Sequence, residues 1–256
     1  MDILVSNDDG IQSPGIHALA EVLRELGNIY VVAPDRERNA VGHALTLHKP
    51  LRVEEIKKNF FSLNGTPTDC VNWGVLHLLK KPPALLVSGI NKGANLGDDV
   101  TYSGTVSAAF EGTILKVPSI AVSQMGPPPY EFKSAAQFAL QIAKQILNKG
   151  LPNDILLNVN VPNLPIEKIK DIKIVSLGRR VFEDNAIIEK TDPRGRKYYW
   201  IGGTKILWED KPDTDNDAVS HGHVSVTPLH LDLTHYEFLK KMKKWEKALN
   251  RDKKDD

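Results

Sequence analysis

Apolar and polar positions alternate along the first 165 residues in blocks that switch between strand and helix periods. Residues 2–6 form a continuous apolar run and read as a buried strand. Pro14 to Leu26 carries helical spacing, with Ser13 as the N-cap, Pro14 at the first helical position and Gly27 just past the end. Asn28–Ala33 reads as a second strand, and the Val-, Phe- and Leu-rich stretch 45–63 as a hairpin. Thr68 or Asp69 is placed to cap a helix running to Leu79. Strand Ala84–Ser88, a helix from Ser103 to Leu115, strand Val117–Ser123, a helix from about Glu131 to Asn148 and strand Ile155–Val161 complete the series. Short strands separated by helices of this length predict βαβ units and a Rossmann-like, mostly parallel sheet with flanking helices.

The pattern changes after residue 170. Short β-like runs (IKIVSL, KYYWIGG, HVSVTPL) alternate with polar loops up to about 228, and an amphipathic helix is expected from Thr234 to Asn250. Tyr198, Tyr199, Trp200 and Trp208 require something to pack on, so this is a β-rich extension rather than a linker. The whole chain, 1–256, is expected as one α/β domain: residues 1–165 form the core, and 170–256 form a hairpin extension and terminal helix used in oligomerisation.

Composition changes the picture only slightly. With 33 Lys/Arg against 32 Asp/Glu, the net charge of +1 supplies no field for nucleic acid or an anionic membrane. The tail from Lys240 holds eight of the basic and four of the acidic residues, which leaves a slightly acidic body of 25 basic and 28 acidic residues. That tail reads as a solvated helix end. The one cysteine, Cys70, excludes an internal disulfide and a thiolate zinc site and is expected to be a small buried hydrophobe. No apolar run reaches membrane-spanning length and no leader pattern opens the chain, which points to the cytoplasm.

The chemistry concentrates in three loops, each leaving the end of an expected parallel strand, where ligands of open α/β sheets bind. The first is Asn7-Asp8-Asp9-Gly10, the second runs from Pro34 to Asn39, and the third from Gly89 to Asp99. Adjacent carboxylates with nearby amide oxygens form a hard oxygen set suited to Mg²⁺ or Mn²⁺ and poorly suited to Zn²⁺. Taken alone, the NDDG segment is only a turn former; its place at a strand end makes it a site candidate. The glycine-spaced loop before Ser103-Gly104-Thr105 leads to a helix start, whose free N–H groups can hold phosphate. It matches neither a Walker A motif nor G-x-G-x-x-G.

Together, NDDG (7–10), APDRER (33–38), LNGTPTDCV (63–71), SGINKGANLGDDVTYSGTVSAAFEG (88–112) and VSVTPL (224–229) resemble the SurE family of nucleoside-monophosphate phosphatases. The resemblance implies a Rossmann-like fold whose β-rich extension is exchanged in a homodimer, with a dimer of dimers as the alternative. It also implies a divalent-metal-dependent 5′-nucleotidase that also acts on 3′-monophosphates and short polyphosphate. One Mg²⁺ or Mn²⁺ per subunit would be held by Asp8, Asp9, Asn39 and Asn95. Many members carry serine at the position of Asn39, and an amide oxygen can still ligate a hard cation. Asp8 and Asp9 are the catalytic candidates, and Asn91, Gly93, Ser103, Gly104 and Thr105 the phosphate-binding ones. Attack by water and attack by Asp8 both remain open.

A non-enzymatic nucleotide-binding module and a metal-dependent glycosyltransferase are the competing readings. Lys92 has two readings, a phosphate contact and a solvated loop lysine. His221 and His223 are expected on a surface strand, Asp210, Asp213, Asp215 and Asp217 in a solvated hairpin loop, and His43 and His48 have no evident partner.

Overall fold

A computed structural model describes residues 1–181, 187–201 and 207–250. The last six residues of the basic tail therefore lie outside the described residues, as do Gly202 and Gly203 of the KYYWIGG run.

The apolar runs form a nine-stranded sheet. Its strands are β1 (Asp2–Ser6), β2 (Asn28–Pro34), β3 (Val53–Lys57), β4 (Phe60–Leu63), β5 (Leu85–Lys92), β6 (Ser119–Met125), β7 (Ile155–Pro162), β8 (Ile172–Ile174) and β13 (Val224–His230), in the order β3-β4-β2-β1-β5-β6-β7-β13-β8. Strand β1 is parallel to β2 on one side (Val5 opposite Val31) and to β5 on the other (Ser6 opposite Ser88). The chain thus winds outward in both directions from β1 and β5, and the topological switch point lies between them. Both faces of these strands are covered, which is why they read as continuous apolar runs rather than as alternations.

Helices α1 (Pro14–Leu23) and α4 (Lys133–Lys149) share one core cluster with Ile3, Val5, Val31, Leu85 and Val87. Helix α2 (Pro67–Trp73) packs with Leu4, Val32 and Leu86 on the opposite face. Helix α3 (Gly104–Ile114) covers the same side. Cys70 is buried in α2, as expected.

Several local expectations are corrected. Ser13 occupies the N-cap position of α1 but makes no side-chain cap bond, and the helix stops at Leu23 rather than Leu26. The cap of α2 is Thr66, not Thr68 or Asp69. Thr66 Oγ1 accepts the Asp69 N–H at 3.1 Å, and the Asp69 carboxylate accepts the Thr66 N–H at 2.8 Å, a reciprocal capping box. That helix passes into a π-helical turn, Gly74–Leu78, instead of continuing unbroken to Leu79. The hairpin is shorter than 45–63, because residues before Val53 form an irregular loop.

The extension is not a separate layer. Strand β13 pairs antiparallel with β7 and parallel with β8, so both belong to the main sheet. Two small ribbons stand apart from it: β9 (Arg180–Val181) with β12 (Leu207–Trp208), and β10 (Ile187–Thr191) with β11 (Lys197–Ile201). Tyr198, Tyr199 and Trp200 on β11 remain exposed. The acidic run is no hairpin loop: α5 (Asp215–Ser220) starts inside it, and Asp215 is fully buried. His221 ends α5 with Nδ1 2.8 Å from the Asp217 carbonyl, while His223 engages Asp171, so the two do not share a strand face. The C-terminal helix is broken into α6 (Tyr236–Met242), a 3₁₀ turn (Lys243–Trp245) and α7 (Glu246–Leu249). Among the described residues no helix is long and apolar enough to cross a membrane.

Candidate active site

The carboxyl ends of β1, β2 and β5 lie side by side, and their loops are tied to one another by hydrogen bonds. The turn after β1 closes on itself: Asn7 Oδ1 accepts the Gly10 N–H at 3.1 Å, and Asn7 Nδ2 donates to the Gly10 carbonyl at 3.0 Å. The loop after β2 crosses this turn, with the Arg38 N–H on the Asp8 carbonyl at 2.8 Å. From the end of β5, the Lys92 N–H reaches Asp9 Oδ2 at 3.3 Å, and Lys92 Nζ stands 3.8 Å from Asp9 Oδ1.

Asp8 is only 4% exposed and sits against the N-terminus of α3. The Thr105 hydroxyl donates to Asp8 Oδ1, and Ser103 Oγ caps the helix by accepting the Val106 N–H at 3.1 Å. Residue 104 has to be glycine here: a Cβ on it would stand 2.7 Å from Asp8 Cβ and 2.9 Å from Asp8 Oδ2. Burial pushes the Asp8 carboxyl up from 3.8 to about 6, with repulsion from Asp9 adding to it and the Thr105 hydroxyl opposing it. Asp9 is raised too, by burial first, while the Lys92 ammonium pulls it down and Glu37 pushes it up.

Asn95 is buried on the third loop. Its Nδ2 donates to Ser123 Oγ at 2.7 Å, and among the described residues no hydrogen bond reaches its Oδ1. Asn39 is exposed and its amide is turned onto Glu37, though the neighbouring Arg38 backbone is fastened to Asp8.

The phosphate candidates surround Asp8 and Asp9 but are partly spent within the fold. Asn91 Nδ2 donates to the Gly93 carbonyl at 2.9 Å, the Gly93 N–H donates to the Gln124 carbonyl at 3.0 Å, and Thr105 is bonded to Asp8. Ser103 and Gly104 stay at the helix start, where the first N–H groups have no intrahelical acceptor.

Residues 3–184 match the family described as Survival protein SurE. The chain belongs to the SurE family. It is 56% identical over 246 residues to the 5′-nucleotidase SurE of Pelobacter propionicus, covering 96% of this chain and 99% of that one. It is 55% identical over 247 residues to the 5′-nucleotidase SurE of Geotalea daltonii, with the same coverage. The crystal structure of the SurE protein from Aquifex aeolicus aligns with a TM-score of 0.86 at 47% identity, covering 96% of this chain and all of that one.

The residues of this SurE-family site fit a hard divalent cation. Two adjacent carboxylates with nearly buried side chains follow β1, burial raises both, and the loop after β5 carries an amide oxygen, Asn95 Oδ1, that no hydrogen bond occupies among the described residues. Among the described residues no three His, Cys, Asp or Glu side chains are grouped so as to hold a metal ion, so a cation here would have to draw on amide oxygens beside the two acids.

The partners of two residues singled out in the sequence were not legible there. Lys92 is aimed at Asp9, and nothing in the sequence separates it from a solvated loop lysine. His43 does have a partner: its Nε2 lies 2.6 Å from Glu111 on α3, whose other carboxylate oxygen accepts Asn72 Nδ2 at 2.6 Å. Only tertiary structure brings residues 43, 72 and 111 together.

Because the folded-state pKa of Asp8 lies above its ordinary value, the native chain holds the extra proton between pH 4 and 6, and metal-free stability falls as pH rises through that window. Asp8→Asn removes this penalty. In EDTA at pH 8 the variant is expected to be more stable than the parent by on the order of 2 kcal/mol, with the gain shrinking toward pH 4. Urea unfolding at both pH values checks this, and an equal or lower midpoint at pH 8 contradicts it.

Proposed function

We propose that this chain is a divalent-metal-dependent 5′-nucleotidase that hydrolyses nucleoside 5′-monophosphates to nucleoside and orthophosphate. The observation that carries the proposal is the pair Asp8 and Asp9, their side chains nearly buried at the switch point of the sheet, in a chain about 55% identical to relatives named 5′-nucleotidase SurE. The proposal extends to 3′-monophosphates and short polyphosphate, with one Mg²⁺ or Mn²⁺ per subunit held by Asp8, Asp9, Asn95 and Asn39. Such a cation supplies Lewis acidity toward a phosphoryl oxygen.

The residues of the chain do the rest. Thr105 and Gly104 lock Asp8 in one orientation, so no reorganisation is needed when substrate arrives. Lys92, half-exposed at the mouth, brings positive charge to a phosphate dianion. Ser103, Gly104 and Thr105 offer it the positive end of α3, and Asn91 and Gly93 are the further phosphate candidates. In the overall reaction a P–O bond forms to water, the P–O bond to the ribose breaks, and the leaving oxygen takes up a proton. Asp8 and Asp9 are the acids within this site that can orient the nucleophile, or in the case of Asp8 become it.

Assembly into a homodimer, or a dimer of dimers, through the β-rich extension is part of the proposal. The exposed Tyr199 and Trp200 of β11 and the exposed Phe238 and Trp245 of the C-terminal helices support it. The absence of a membrane-crossing helix among the described residues and the single buried cysteine are compatible with a cytoplasmic enzyme.

Phosphate release from AMP, 3′-AMP and tripolyphosphate, each with Mg²⁺, Mn²⁺ or EDTA, tests the activity. AMP hydrolysis is expected with either cation and not in EDTA. Asp8→Asn should fall to background, and Asn39→Ser should lose less than about tenfold, which is about 1.4 kcal/mol. Tight retention of AMP without any phosphate release would overturn the hydrolase reading. In sedimentation velocity the intact chain is expected to run as a dimer or larger, and a monomer at micromolar concentration would overturn the assembly.

A further inference from the structure

Asn95 is positioned mainly through its backbone. Asn160, on β7, accepts the Asn95 N–H on Oδ1 at 2.8 Å and returns its Nδ2 to the Asn95 carbonyl at 3.0 Å. Asn158, two residues earlier on the same strand face, adds a second donor to that carbonyl at 2.8 Å. Both asparagines are fully buried. Burying an amide in an aliphatic strand is costly unless its bonds are made; here Asn158 Oδ1 has no partner among the described residues, and the bonds that are made fix one loop residue.

Two residues further on, the same loop is gripped from the opposite side. The Gly97 N–H donates to Asp215 Oδ2 at 2.8 Å, while Asp215 Oδ1 accepts the N–H groups of Gly178 and Asn216, each at 2.8 Å. Asp215 is fully buried and forms no ion pair with a cationic side chain among the described residues. The approach is close: Gly97 has φ +49°, and a Cβ there would stand 2.7 Å from the Gly178 carbonyl oxygen and 2.7 Å from the Trp208 ring. The Arg180 N–H reaches Asp98 Oδ2 at 3.2 Å and its guanidinium reaches Asp99 Oδ1 at 3.0 Å. The loop 95–99 is therefore clamped between β7 and residues drawn from 178–215. A carboxylate suits this clamp because it offers acceptors on both oxygens; an asparagine would turn an NH₂ toward one of the two glycine N–H groups.

We propose that Asp215 is a positioning residue for Asn95, which makes the β-rich extension a working part of the metal site and not only a surface for assembly. The proposal rests on the reading of Asn95 as a ligand. If the extension holds this loop in the geometry that receives a cation, linkage requires the cation to strengthen the extension's hold on the loop by the same factor. Outer partners that orient ligands usually matter by about 10–100-fold in metal affinity.

The test uses the full-length chain stripped with EDTA and titrated with Mn²⁺, with free Mn²⁺ read by electron paramagnetic resonance, for the parent, Asp8→Asn and Asp215→Asn. Amide hydrogen exchange of the parent is followed with and without Mn²⁺. Asp215→Asn is expected to bind Mn²⁺ about tenfold or more weakly and to lower kcat for AMP more than it changes KM. In the parent, Mn²⁺ is expected to slow exchange at both Gly97 and Gly178. Should Asp8→Asn lose the ion while Asp215→Asn binds it like the parent and Gly178 exchange stays unchanged, the positioning role is overturned and the metal site stands. Should Asp8→Asn also bind Mn²⁺ like the parent, the ligand reading itself fails. If Asp215→Asn does not fold, the exchange response at Gly178 decides alone.

Discussion

Two neighbouring carboxylates are kept out of water at the end of a buried central strand, and the rest of the molecule is arranged around that cost. Strand β1 is flanked by parallel neighbours on both sides and covered by helices on both faces, so Asp8 emerges where bulk solvent cannot screen it. Burial raises both acids, with repulsion from Asp9 adding to it at Asp8 and repulsion from Glu37 adding to it at Asp9. A fold could relieve this with an arginine, but the chain does so only in part, with the distant Lys92 ammonium and the dipole end of α3. What remains is a pre-formed deficit of positive charge, bounded by oxygen donors. The divalent cation of the proposed function would offset the two carboxylates.

The site is stiffened in layers. Glycine at 104 lets α3 approach until Thr105 touches Asp8, and the loop after β2 is stitched to the Asp8 backbone through Arg38. The loop after β5 buries Leu96 and Val100 and is held further by Asn158, Asn160 and Asp215. Elements as far apart in the chain as β1 and α5 therefore share one structural task. Membership of the SurE family, with relatives named as 5′-nucleotidases, fits a site whose loops are fixed by internal hydrogen bonds while Asn95 Oδ1 and the first N–H groups of α3 are left for a ligand.

The parts of this architecture written in local pattern were legible in the sequence. Continuous apolar runs marked β1, β2, β5, β6 and β7, and the acids and glycines that follow them marked the sheet edge where a site would form. Features decided by partners distant in the chain were not legible. Thr66 rather than Thr68 caps α2 because Asp69 reaches back to it and also ties down Thr46. Asp215 looked like one acid in a solvated run, since nothing local indicates that the N–H groups of Gly97 and Gly178 wait for it. His43 had no partner until α3 placed Glu111 beside it. The aromatic side chains of β11 were expected to need cover, and they stay exposed within one chain.

The central claim is that oxygens from separate crossings of the sheet meet around one ion, and a crystal of the full chain soaked in Mn²⁺ tests it most directly. Anomalous scattering should show a single Mn²⁺ per chain with Asp8, Asp9 and Asn95 oxygens each about 2.1–2.3 Å away. An ion bound elsewhere, or Asp8 and Asn95 too far apart to share one, would contradict the account.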